Sequence, residues 1–161
     1  MQRAQFQTTA KSGQQRRGVT IVETALMMPV FVLFLASLME FGHFFLVRHM
    51  TNAAARKAAS YGCAEGVTNS QVIAKAQGVI NAAYNANKAT IIVKDASTFD
   101  TPNVNPTTLN YDSLPAITLS SAATSQFFLV QVKVAYKDVA LLPPFWLSGA
   151  TIIGRSVMRH E

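Results

Sequence analysis

Glu23, the pair Glu40 and His43, and the lone Cys63 are the side chains here whose type and placing could do chemistry. Glu23 stands five positions after Gly18, and it is followed by an uncharged run from Thr24 to Met39. A carboxylate at the mouth of so apolar a run is costly, and ionisable groups at membrane depth usually have a partner. A cut after Gly18 would supply one. The new amine of Val19 would lie four positions before Glu23, on the same helix face, and within reach of a neighbouring chain's carboxylate.

The other candidates lead nowhere catalytic. Glu40-Phe-Gly-His43 is a single Glu-x-x-His, whereas a di-iron centre needs a second such motif and two more carboxylates. His43, His49 and His160 have no His, Cys, Asp or Glu neighbours at metal-ligand spacing. Cys63 is the only cysteine, so it forms no disulfide within the chain and has no identifiable base beside it. Ser60-Tyr61-Gly62 before it fits a lipoprotein cleavage box poorly, and a half-buried or exposed free thiol is expected. There is no Gly-rich phosphate loop and no nucleophile elbow. We expect no catalytic residue, no metal site and no cofactor.

These positions are set by a long apolar helix. From Val19 to Val47 the chain is interrupted by few polar residues, and as a helix this stretch measures roughly 43 Å at about 1.5 Å per residue. That exceeds a hydrocarbon core of about 30 Å, so a single membrane span is expected, longer than a secretory signal's apolar region. Pro29 lies inside it and removes one intrahelical bond, which favours a kink. Thr51 to Ala59 is rich in alanine, and the helix should continue through it and stop near Gly62.

Charge is placed unevenly along the chain. The formal net charge is +6, and Arg3, Lys11, Arg16 and Arg17 precede Gly18 without an acid among them. The basic character therefore belongs largely to the first 18 residues, which lack a hydrophobic period and are expected to be without fixed structure. No aromatic-interleaved basic patch follows, so nucleic acid is not an expected partner. Basic residues flank both ends of the span in similar number, and the slight excess favours a cytoplasmic N-terminus.

Arg16-Arg17-Gly18 with Glu23 resembles the leader and first turn of type IV prepilin-like proteins. Val22-Glu23, Ala25-Leu26, Pro29, Glu40-Phe41-Gly42, Arg48, Asn52-Ala53-Ala54-Ala55-Arg56 and Ala58-Ala59 are similar to the N-terminal segment of TadE-like pseudopilins, with a fainter likeness in the closing Val157–Glu161. That resemblance implies a minor component of the tight-adherence, Flp-type pilus machinery. It implies cleavage between Gly18 and Val19 by a prepilin peptidase, and subunit docking through Glu23. Glu40, by its position near the outer membrane boundary, either reaches water or pairs with an Arg or an amine in the assembled complex, which makes it a second docking candidate. The implied partners are that peptidase, other pilin-like subunits, the pilus assembly machinery and membrane lipid. The implied site is the bacterial inner membrane, with a cytoplasmic N-terminus and the C-terminal part exported. Thr24 departs from the pattern, since an aromatic residue commonly follows the glutamate. The rival reading is an unprocessed single-span anchor whose exported domain binds an envelope component or ligand.

Three segments result: a basic leader over 1–18, the span and its continuing helix over 19–62, and an exported α+β domain over 63–161. A second helix starts near Thr68-Asn69-Ser70, any of which can cap it, and Val72, Ile73, Ala76, Val79, Ile80 and Ala83 form its stripe. Strands are expected at 89–94, 127–137 and 151–159, making a small antiparallel sheet. Val130, Val132 and Val134, with Ile73 and Ile80, should form the core. Residues 96–126, holding Pro102, Pro106 and Pro115, read as an irregular insertion, either mobile or exposed for recognition. Phe145-Trp146, after two prolines, reads as a plug for the core.

Overall fold

The computed structural model describes residues 12–102 and 104–161, with side chains from Gly18 onward. Helix α1 runs Ser12–Gly62 and keeps Pro29 within an unbroken helical run. It begins inside the basic segment that was expected to be unstructured, where Gln14, Gln15, Arg16 and Arg17 are all good helix formers. Residues 1–11 of the leader lie outside the described residues.

The chain divides into two compact units, Met1–Met39 and Glu40–Glu161. In the first, from Val19 to Leu35, every residue of α1 is exposed. The second is an α+β unit that begins with the rest of α1. Helix α2, Asn69–Ile80, is capped by Thr68, which accepts from the Gln71 amide while the Gln71 side chain accepts from the Thr68 amide. This reciprocal box satisfies two donors that a helix start otherwise leaves unpaired. Strands β1 (Ala89–Asp95), β2 (Phe127–Ala135) and β3 (Thr151–Arg159) form one antiparallel sheet in the order β1-β2-β3. Ile91 faces Val132 across the first pairing, and Val132 faces Gly154 across the second. The strand expected to reach residue 137 stops at Ala135, because Tyr136–Asp138 turn into a short 3₁₀ segment.

Alternation in β2 sends its residues to two cores. Phe128, Val130, Val132, Val134 and Tyr136 pack on the helices, with Val72, Ala76 and Ile80 of α2 and with Val47, Ala54, Ala55, Ala58 and Ala59 of α1. Ile73 is half-buried at the margin of this core. The α1 contribution is a difference from the sequence reading, which left residues 63–161 to make the core alone. Small alanines let the helix and sheet approach closely. At Gly154 the approach is tightest: a Cβ there would lie 2.6 Å from the Thr51 carbonyl oxygen.

On the other sheet face, Leu129 is buried under Ala96 and Leu114, with Phe99, Leu109, Tyr111, Phe127 and Val157 around them. The irregular segment 96–126 thus covers the back of the sheet through short 3₁₀ turns at Ser97–Asp100 and Tyr111–Ser113, while a third turn, Leu119–Ser121, sends Leu119 into the core against the helices. Polar side chains fasten it. The Gln131 amide donates to Asp112 at 2.9 Å and accepts from Arg155 at 3.0 Å, and the Arg155 guanidinium lies over the Tyr111 ring. Asn69, at the start of α2, donates to the Ile117 carbonyl and accepts from the Leu119 amide. A buried polar group is stable only when so satisfied.

Candidate subunit-docking and membrane site

Gly18, Val19 and Glu23 lie on the exposed part of α1. A Cβ added at Gly18 meets nothing within 4 Å, so the glycine is not there to relieve packing within the chain. Glu23 stands one turn beyond Val19, about 6 Å along the axis. Its neighbours on the helix are exposed apolar residues: Val22 is 69% exposed and Leu26 is 76% exposed. So much apolar surface without a partner among the described residues calls for lipid or another protein. Residues Gly18–Gly62 have the length and composition to cross a membrane.

Glu40, the second acidic position, sits in the α+β unit and has a different environment. Its carboxylate accepts three backbone N–H groups from the connection between β2 and β3. Oε2 accepts from Phe145 at 3.1 Å, and Oε1 accepts from Trp146 at 3.0 Å and from Leu147 at 2.7 Å. Charge-assisted bonds of this kind are stronger than neutral ones and hold the 145–147 backbone to the helix. The Tyr136 hydroxyl donates to the Glu40 carbonyl at 3.0 Å and lies 3.3 Å from His43 Nδ1. Burial and the nearby Glu40 charge both raise the Tyr136 hydroxyl's pKa. The pattern Glu40-x-x-His43 is therefore a latch around Tyr136 and the β2–β3 connection. Sequence reasoning missed it because the partners are backbone amides a hundred residues away, which carry no side-chain signature.

Phe145 and Trp146 differ from expectation as well. Phe145 is 77% exposed and Trp146 is 43% exposed, so neither plugs the core. Their backbone is bound to Glu40, which turns the side chains away from the interior.

Cys63 is half-buried, as expected of a free thiol, with its Sγ donating to the Ala59 carbonyl and 3.6 Å from the Met158 sulfur. Burial, and then the charge of Glu161, raise its pKa, so the unreactive thiol form is favoured. His160 is buried with Nδ1 3.2 Å from the Gly62 carbonyl, and the Glu161 amide donates to the Cys63 carbonyl at 2.8 Å. The closing residues that shared in the resemblance thus fasten the end of α1. Among the described residues, no three His, Cys, Asp or Glu side chains are grouped to hold a metal ion.

The family model described as TadE-like protein matches residues 18–60. The match begins at Gly18 and covers most of α1, so the similarity to TadE-like proteins lies in this helical segment. No curated protein and no solved structure matches the chain.

Proposed function

We propose that the chain is a minor pilin or pseudopilin of a tight-adherence, Flp-type pilus. In this reading it inserts with its N-terminus in the cytoplasm, and a prepilin peptidase cuts it between Gly18 and Val19. The α+β unit is exported. Val19 and Glu23 then dock the anchor onto other pilin-like subunits, and the assembly machinery draws it toward the fibre or its base. Its role is structural. One observation carries the proposal: the TadE-like match starts at Gly18 and runs along a helix whose apolar surface between Val19 and Leu35 has no cover among the described residues.

Charge pairing explains why a glutamate is tolerated at Glu23. An ammonium and a carboxylate one turn apart neutralise each other partly within one chain, and in a bundle each reaches a staggered neighbour. Glu40, already bonded to the 145–147 backbone, is a secondary docking candidate only through the loop it holds.

The test is substitution of Glu23. Glu23→Ala makes the span more apolar, so insertion and cleavage should persist. Copurification with other pilin-like subunits and pilus-dependent adherence should fall. Glu23→Gln, which keeps the shape and removes the charge, should behave like the alanine variant. Normal assembly by both would leave helix packing alone to carry association, and would remove Glu23 from the docking role.

A further inference from the structure

Exposed large apolar side chains in the unit Glu40–Glu161 are not scattered. Phe41, Phe45 and Leu46 lie on the first turns of α1 after Met39, and Leu141, Leu142, Phe145 and Trp146 lie on the β2–β3 connection. Among the described residues of the unit, only Tyr61 stands elsewhere. The three bonds from Glu40 to the amides of 145–147 bring these two sets to the same end of the unit. Within the loop, Pro144 precedes a Phe145–Trp146 pair stacked edge to face with centroids 4.9 Å apart.

We infer that the loop Leu141–Trp146 is a second membrane contact, which seats in the boundary between headgroups and acyl chains beside the point where α1 leaves the bilayer. The helix gives the depth. Val19–Met39 rises roughly 32 Å at about 1.5 Å per residue, which matches a hydrocarbon core of about 30 Å and sets Glu40 at its edge. Tryptophan with flanking apolar residues belongs at that level, where an apolar ring and a polar N–H meet different solvents. Exposed Arg48 and His49 follow about 12 Å further along the helix, just outside a headgroup layer of about 5–8 Å per side. From there the long Arg48 side chain can reach back to lipid phosphates, and with Phe45 and Asn52 the two residues line a shallow depression. A carboxylate at the membrane edge would oppose this seat if bare. The three amides that bind Glu40 remove that objection, since a paired charge costs far less there than an unpaired one.

This inference rests on α1 spanning a bilayer and is independent of pilus assembly. Trp146 is the chain's one tryptophan, so its fluorescence reports on the loop alone. The full chain is placed in phospholipid nanodiscs loaded with a single copy, and alkali-resistant flotation of proteoliposomes checks the span separately. The expected result is blue-shifted Trp146 emission that iodide quenches weakly. Lipids brominated near the headgroup end of the acyl chain should quench it more than lipids brominated near the terminal methyl. Glu40→Gln should lose part of the lipid quenching and gain iodide quenching, while amide protection in β2 is retained. A chain that floats, yet has Trp146 open to iodide and blind to bromolipid, overturns the loop's seat and leaves the span intact. Emission that shifts only at high copy number, without bromolipid quenching, assigns the loop to a neighbouring protein and also overturns it. Failure to float removes both the span and the loop contact.

Discussion

One helix in this protein serves two environments. The stretch Val19–Met39 is built from large apolar residues, and almost all of them are exposed. From Thr51 onward the helix turns to small ones, and Ala54, Ala55, Ala58 and Ala59 are fully buried against the sheet and α2. Both parts are helical for the same local reasons, so secondary structure alone does not separate them. Side-chain size does. Alanine lets a sheet come close and supplies little surface of its own, whereas leucine, phenylalanine and methionine in the first stretch project a surface that only lipid or another subunit can cover. The comparison teaches that anchor and domain are distinguished by what the helix offers a neighbour.

The largest way to break the comparison is to damage the second environment and observe whether the first follows. Val132→Asp places an unpaired charge between α1 and the sheet, at a position with no exposure. The cost is several kcal/mol, comparable with the whole stability of a small domain. In detergent or bicelles, amides of 127–135 should lose their protection from hydrogen exchange while those of 24–39 keep theirs. Protection retained throughout would show that the faces of β2 are assigned wrongly.

A smaller effect sharpens the same boundary. Gly154→Ala directs a methyl group at the Thr51 carbonyl, 2.6 Å away. The contact is with backbone, so helix and strand must separate, and overpacking of this kind costs about 1–3 kcal/mol. A lowered melting temperature of the α+β unit with unchanged membrane insertion is the expected outcome. An unchanged melt would mean that the helix is not held as tightly to β3 as this distance requires.

The least effect is one of pH, on the cover over the back of the sheet. Burial raises the pKa of Asp95, but bonds from the Ser97 hydroxyl and amide and from the Gln126 side chain outweigh it and lower the pKa overall. Asp112 is also lowered, first by the Gln131 amide and then by Lys133. A carboxylate whose folded pKa is depressed contributes stability above its unfolded value, about 3.9 for Asp. That contribution disappears as pH falls through the folded value. Both groups are largely solvated, so the effect is small. Asp95→Asn should reduce stability slightly at neutral pH, and the difference from the parent protein should close below pH about 4. A difference that persists in acid would assign the loss to shape instead of charge.

Much of this architecture was legible in the sequence because it follows periodic signals. The alternation Phe128-Val130-Val132-Val134 gave β2 and its buried face, and the stripe from Val72 gave α2. Thr68-x-x-Gln71 even carried the reciprocal capping pattern that selects Thr68 over Asn69 and Ser70 as the cap. The parts that escaped have no period. Leu109 and Leu114 cover the back of the sheet, and Leu119 enters the core against the helices, from a segment of prolines, serines and threonines where spacing means little. Alanines over 53–59 signalled a helix but not its burial, because alanine is at home in either environment. Glu40 was noticed, yet its true partners are amides, and a backbone donor looks the same at every residue. Phe145 and Trp146 were assigned to the interior by composition, since a soluble domain gives exposed aromatics no purpose. For the proposed cleavage and docking positions, sequence supplies the spacing of Gly18, Val19 and Glu23, and the fold adds their exposure.

The central claim, that this anchor is handled as a pilin, is tested most directly by the mass and N-terminal sequence of the mature protein purified from membranes of cells that contain the peptidase. The account requires a chain that starts at Val19, and a Gly18 variant with a bulky side chain that remains uncut. A protein from those same cells that still carries the leader through Arg17-Gly18 would contradict it, and would make this helix a plain membrane anchor for the domain it supports.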